Sequence, residues 1–146
     1  MKVYNYRKIP AVSSICNDVA DIDFFDSYMV VKQTDLTAGE LVDRIFTLPR
    51  WVKLLLTIRH YLLVLPLGLN AENREMPLIL KSENEVILGE NDKHLYFRLS
   101  ILKENGLQSK VFFTTIVKFN NNFGKFYFSL IKPFHKLIVK SMLKKI

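Results

Sequence analysis

The chain has 146 residues, 49% of them hydrophobic and 24% charged. This is the size and balance of one folded domain; it excludes a disordered chain, and the one cysteine, Cys16, excludes an intrachain disulfide framework. The net charge of +7 is unevenly placed, because after Glu104 there are eight lysines and no acidic residue, an asymmetry that marks a surface for anionic partners.

The first 20 residues have no clear period and are read as an arm or an extra strand, ahead of a single domain over residues 21–146. They lack a continuous apolar run followed by small residues, so no signal peptide is predicted. The apolar run from Tyr61 to Leu69 is interrupted by Pro66 and Gly68. It falls far short of the roughly 20 residues that span a bilayer. The expected location is the cytoplasm.

Asp23–Gln33 is rich in aromatic and β-branched residues and predicts a strand. Thr37 and Glu40 then form a capping-box pattern ahead of Leu41, Val42, Ile45 and Phe46 at helical spacing. Pro49 ends that helix and suits the start of another, over Arg50–Leu65, stopped by Pro66 and Gly68. From Met76 the period changes to two. MPLILK and EVILGE flank a Ser-Glu-Asn turn, and Asn91-Asp92 makes the next. In HLYFRLSILKE, Leu95, Phe97, Leu99 and Ile101 alternate against His94, Tyr96, Arg98 and Ser100. Asn105-Gly106 predicts a two-residue type I′ hairpin, returning through a strand over Leu107–Phe119.

Asn120–Asn122 cap a last helix, Phe123–Ile146. Its apolar arc is read as Phe123, Phe126, Tyr127, Leu130, Ile131, Phe134, Leu137, Ile138 and Met142, beside a row of Lys132, Lys136, Lys140 and Lys144. Phe128 and Val139 fall outside that arc, which suggests contact with a second subunit. The whole pattern predicts an α+β helix-grip fold: an antiparallel sheet wrapped around a long C-terminal helix.

ProArgTrpVal at 49–52, ValIleLeuGly at 86–89, HisLeuTyrPheArgLeuSer at 94–100, and AsnPheGlyLysPheTyrPhe with ProPheHisLysLeuIleVal over 122–139 resemble an uncharacterised, mainly bacterial domain-of-unknown-function family. The resemblance covers residues 20–146. It implies a domain also found fused behind short-chain-dehydrogenase-like domains. It further implies similarity to START/Bet v 1-like helix-grip proteins, many of which hold apolar small molecules between sheet and helix. No catalytic residues come with it. Tyr96 stands where the family is expected to carry an acidic residue.

No catalytic motif, phosphate loop or metal-ligand cluster is visible. His60, His94 and His135 are too scattered to suggest zinc. His135 has no proton-transfer partner nearby in sequence and is read as structural, as is His60. Arg98, with His94, is a candidate polar anchor for a carboxylate, against the plainer reading of a solvent-facing strand. The lysine row solvates a helix face and favours the helix dipole. With aromatic residues expected only on the buried side, a nucleic-acid stacking platform is disfavoured.

The functional expectation is a non-enzymatic module for an apolar or amphipathic small molecule, walled by Met29, Val31, Leu95, Phe97, Leu99, Phe113, Val117, Phe123, Tyr127 and Leu130, with Arg98 as anchor. No cofactor is called for. The alternative is a structural or regulatory interaction module that turns its basic helix to an acidic protein or a membrane surface. Catalysis on a hydrophobic substrate is a third option with no residue pattern behind it.

Overall fold

The structure is a computed structural model describing residues 1–17, 20–47, 50–59, 61, 76–91 and 93–146. It comprises strands β1 (Val3–Asn5), β2 (Phe24–Val31), β3 (Leu78–Lys81), β4 (Glu85–Asn91), β5 (Leu95–Glu104) and β6 (Lys110–Phe119), and helices α1 (Ala38–Ile45), α2 (Arg50–Arg59) and α3 (Asn122–Leu143). The predicted end of the second helix, with Pro66 and Gly68, and His60 lie outside the described residues, as do Pro49 and Asp92.

The strands form an antiparallel six-stranded open sheet in the order β1-β2-β6-β5-β4-β3. Five strands were legible in the sequence. The sixth is β1, whose three residues pair Val3 with Val30 and Asn5 with Tyr28 at the edge; a strand that short carries no readable period. The β5–β6 connection also differs from the expected two-residue turn. Pairing ends at Glu104↔Lys110, which leaves residues 105–109 as a five-residue loop. Ser109 is buried, and its carbonyl accepts the Lys32 N–H at 3.0 Å. That tie to the chain beyond β2 holds the loop wider than Asn-Gly alone would set.

The α1 start forms as its residues predict. Thr37 Oγ1 accepts the Glu40 N–H at 3.3 Å, and Glu40 Oε2 accepts the Thr37 N–H at 2.7 Å. At α3 the cap is Asn121, whose Oδ1 accepts the Gly124 N–H at 2.9 Å.

The sheet has two covered faces. On one, Tyr28, Val30, Leu99, Ile101, Val111 and Phe113 pack with Leu41 and Ile45 of α1 and with Val139, Met142 and Leu143 of α3. Further along, Leu95 and Val117 pack with Tyr127 and Phe128 of α3. The opposite face carries Ile87 and Ile116, covered by Ile15 and Ile9 of the N-terminal arm and by Ile22 just after it. This explains why Val111–Val117 is buried without alternation, as a strand covered on both faces must be.

The arm is tethered by a buried carboxylate. Glu85 accepts hydrogen bonds from the Ser13 and Ser100 hydroxyls and, at 2.9 Å, from the Ser14 N–H. A buried charge needs such donors, and here three of them replace its water.

Candidate functional site

The helix that crosses the sheet is rotated from the orientation its periodicity suggested. Phe128 and Val139, expected to face outward, are buried, while Phe126, Leu130, Phe134 and Leu137, expected to face inward, are exposed by 57%, 38%, 49% and 54%. Helix α3 is apolar around most of its circumference, so the pattern alone offered two faces. Tertiary packing chose the one centred on Tyr127, Phe128, Ile131, Val139 and Met142. Phe128 packs its ring 4.9 Å from Phe24 and 5.7 Å from Phe119. Gly124 rests on the His94 carbonyl, and a Cβ there would stand 2.1 Å from its oxygen. That contact requires the rotation observed, because only the face bearing Gly124 approaches β5 so closely.

The predicted pocket residues are divided by the sheet. Leu95, Leu99, Phe113, Val117 and Tyr127 belong to the packed clusters on the α3 side, with Phe97 and Phe123 at their margin. Met29 and Val31 alternate with Tyr28 and Val30 on β2 and so point to the other face, away from α3. Leu130 lies on the outer side of α3. Arg98 alternates with Phe97 and Leu99 and also faces away from the helix; its guanidinium lies 4.1 Å from the Tyr96 ring centroid and donates to the Phe97 carbonyl at 2.9 Å. The strand period groups Met29 with Val31 and Leu95 with Phe97, but only the pairing of β2 with β6 shows that the two sets lie back to back.

His135 gains the partner that its sequence neighbours lack. Its Nε2 lies 3.4 Å from Oδ1 of Asp26 on β2, 109 positions away in the chain. The Asp26 side chain is 9% exposed and that of His135 23%. The other Asp26 oxygen, Oδ2, is buried with no hydrogen-bond partner, and so is Oγ1 of Thr115, the cross-strand neighbour of Asp26. Burial pushes the nearby Tyr28 hydroxyl up to about 12, with the Asp26 carboxylate adding to the shift. Tyr28 therefore stays protonated at physiological pH, and its hydroxyl hydrogen-bonds the Asp26 carboxylate. No sequence signal could pair Asp26 with His135, since the contact depends on where α3 crosses β2.

Among the described residues, two surface clefts that border α3 stand out. One of about 430 Å³, at its start, is lined by Asp23, Phe119, Asn121, Asn122 and Lys125. Two of its polar side chains are engaged: Asp23 Oδ2 accepts the Phe119 N–H at 2.7 Å and Asn121 caps the helix. The other, about 230 Å³, lies at the β1–β2 edge beside α3 and includes Asn5, Arg7, Phe24, Asp26, Tyr28 and Lys136. The lysine row runs along this flank, with Lys132 Nζ 4.8 Å from the Phe24 ring centroid and Lys140 Nζ 5.9 Å from that of Tyr28. Among the described residues no three His, Cys, Asp or Glu side chains come together to hold a metal ion.

The outer face of α3 thus presents an apolar stripe with a basic flank. Helix α2 shows a second exposed set, Trp51, Leu54 and Ile58, at helical spacing. Among the described residues no helix is long and apolar enough to cross a membrane.

A family model described as protein of unknown function (DUF2867) matches residues 19–142, nearly all of the sheet and α3. The chain belongs to that family. The match begins after most of the arm, so the DUF2867 segment takes in β2 to β6, α1, α2 and α3 as far as residue 142. No curated protein and no solved structure matches the chain.

Proposed function

We propose that this DUF2867 protein is an interaction module that docks the outer face of α3 on an anionic membrane surface. The observation that carries this reading is the stripe of Phe126, Leu130, Phe134 and Leu137, exposed on the side of α3 opposite the sheet. Solvent-exposed apolar side chains in a row cost water ordering, and a helix with such a face beside a basic flank is suited to lie in a bilayer interface. The aromatic and leucine side chains enter the headgroup boundary. Lys132, Lys136, Lys140 and Lys144 reach lipid phosphates, each adding about 1 kcal/mol near an anionic surface. The same helix buries its other side in the core, so docking needs no unfolding.

Binding of an apolar molecule between sheet and helix has a narrower basis. Leu95, Leu99, Phe113, Val117 and Tyr127 do share the α3 side, but they are packed against one another and against α1 and α3.

Vesicle flotation tests the docking reading. The protein is expected to float with phosphatidylcholine vesicles containing phosphatidylserine, less at high salt, and not with phosphatidylcholine alone. Phe126→Ser with Phe134→Ser, both exposed, should abolish flotation while leaving the melting temperature nearly unchanged. Lys132→Gln, Lys136→Gln and Lys140→Gln together should remove its salt dependence. Wild-type protein that stays unbound, or binding indifferent to both sets, overturns the reading.

A further inference from the structure

We infer that α2 is a second membrane-contacting element, whose exposed face of Trp51, Leu54 and Ile58 lies in the interface of an anionic bilayer. The inference rests on the docking reading of α3 for its partner and adds a separate surface to it.

The first observation is the side that α2 turns to solvent. Trp51 is 40% exposed, Leu54 60% and Ile58 43%. At about 100° per residue the three fall within about 60° of one another, so they form one stripe rather than scattered single side chains. Among the described residues no α2 side chain joins a core cluster. The Thr57 hydroxyl, round from the stripe, already donates to the Lys53 carbonyl at 2.9 Å and needs no water.

The second observation is charge. From Arg44 to Ala71 the chain holds Arg44, Arg50, Lys53 and Arg59 and no acidic residue. Arg50 and Lys53 are exposed. Arg50 falls about 40° beyond Leu54, at the edge of the stripe. An acidic protein surface would meet these cations but press its charges against three large apolar side chains. An apolar protein face would cover the stripe but desolvate Arg50. A bilayer interface offers both in the order needed, hydrocarbon beneath a layer of phosphates, and its boundary is where an indole ring settles best. The 10 residues of α2 make about 15 Å of helix, half the hydrocarbon thickness, so α2 lies along the surface and does not cross it.

Trp51 is the one tryptophan of the chain, so its fluorescence reads α2 and not α3. The full chain is titrated with phosphatidylcholine vesicles containing phosphatidylserine, and binding is followed in parallel by flotation. Trp51 emission should move to shorter wavelength as the protein binds. Lipids brominated near the headgroup should quench it more than lipids brominated at the chain ends. Leu54→Gln with Ile58→Gln, both at exposed positions, keeps the reporter and should weaken vesicle binding about tenfold, with the melting temperature nearly unchanged. Protein that floats while Trp51 stays unshifted and unquenched overturns this inference and leaves the docking of α3 standing, as does a Leu54→Gln, Ile58→Gln variant that binds like the wild type. Protein that neither floats nor shifts overturns both. Emission that responds to protein concentration without lipid, and not to vesicles, shows that a second copy covers the stripe, and the bilayer assignment is then wrong.

Discussion

Gly124 of α3 and His94 at the start of β5 approach so closely that a Cβ on Gly124 would stand 2.1 Å from the His94 carbonyl oxygen. The carbonyl is itself fixed, because it accepts the Asn120 N–H at 2.9 Å. The obstacle to any side chain is therefore backbone, which cannot rotate aside. Gly124→Ala should cost about 3 kcal/mol, the upper end of overpacking, despite the better helix propensity of alanine. Urea unfolding checks this; an unchanged or raised midpoint would show that α3 does not seat against β5 as described.

The rotation of α3 makes opposite predictions for two neighbouring phenylalanines. Phe128 is 5% exposed and packs against Phe24 and Phe119. Phe128→Ala should cost about 3–5 kcal/mol. Phe126→Ala, on the exposed side, should stay within about 0.5 kcal/mol. Reversed costs in denaturant titrations would restore the orientation that helical periodicity suggested.

The Glu85 tether predicts a coupling between sheet and arm. Replacing Glu85 with Ala removes the acceptor of the Ser14 N–H and of the Ser13 and Ser100 hydroxyls, which are left only with each other at 3.3 Å. Each buried donor left unsatisfied costs about 1–3 kcal/mol. Stability should fall by at least about 2 kcal/mol, and limited proteolysis should cut within the arm around Ser13–Ile15 sooner than in the wild type. Unchanged cleavage would mean that Ile9, Ile15 and Ile22 hold the arm by themselves.

Tyr28 gives a pH signature. Its hydroxyl is pushed up to about 12 by burial first and by Asp26 second. The neutral form is favoured in the folded state, so the stability it contributes is full below the ordinary tyrosine value near 10 and is lost as pH rises through about 12. Ultraviolet titration of the six tyrosines should show one late phase near pH 12 that Tyr28→Phe removes. A titration complete by about pH 11 would contradict the burial of this group.

Several local features were legible because they depend on neighbours in the chain. The Thr37–Glu40 capping box formed as written, the period-two runs became β2, β4, β5 and β6, and Asn121 capped α3. What needed the folded molecule was every decision between equivalent local choices. Alternation separates two sides of a strand but does not say which side meets the helix, so Met29, Val31 and Arg98 parted from Leu99 and Phe113 only when the strands paired. An amphipathic period locates one buried side on a helix; α3 is apolar around most of its surface, and the close approach of Gly124 to His94 made the choice. Asp26 and His135 meet because α3 crosses β2, a relation between residues 109 positions apart that no local pattern encodes. Propensity and period act over a few residues, whereas faces, partners and clefts are set by the burial of surfaces contributed from the whole chain.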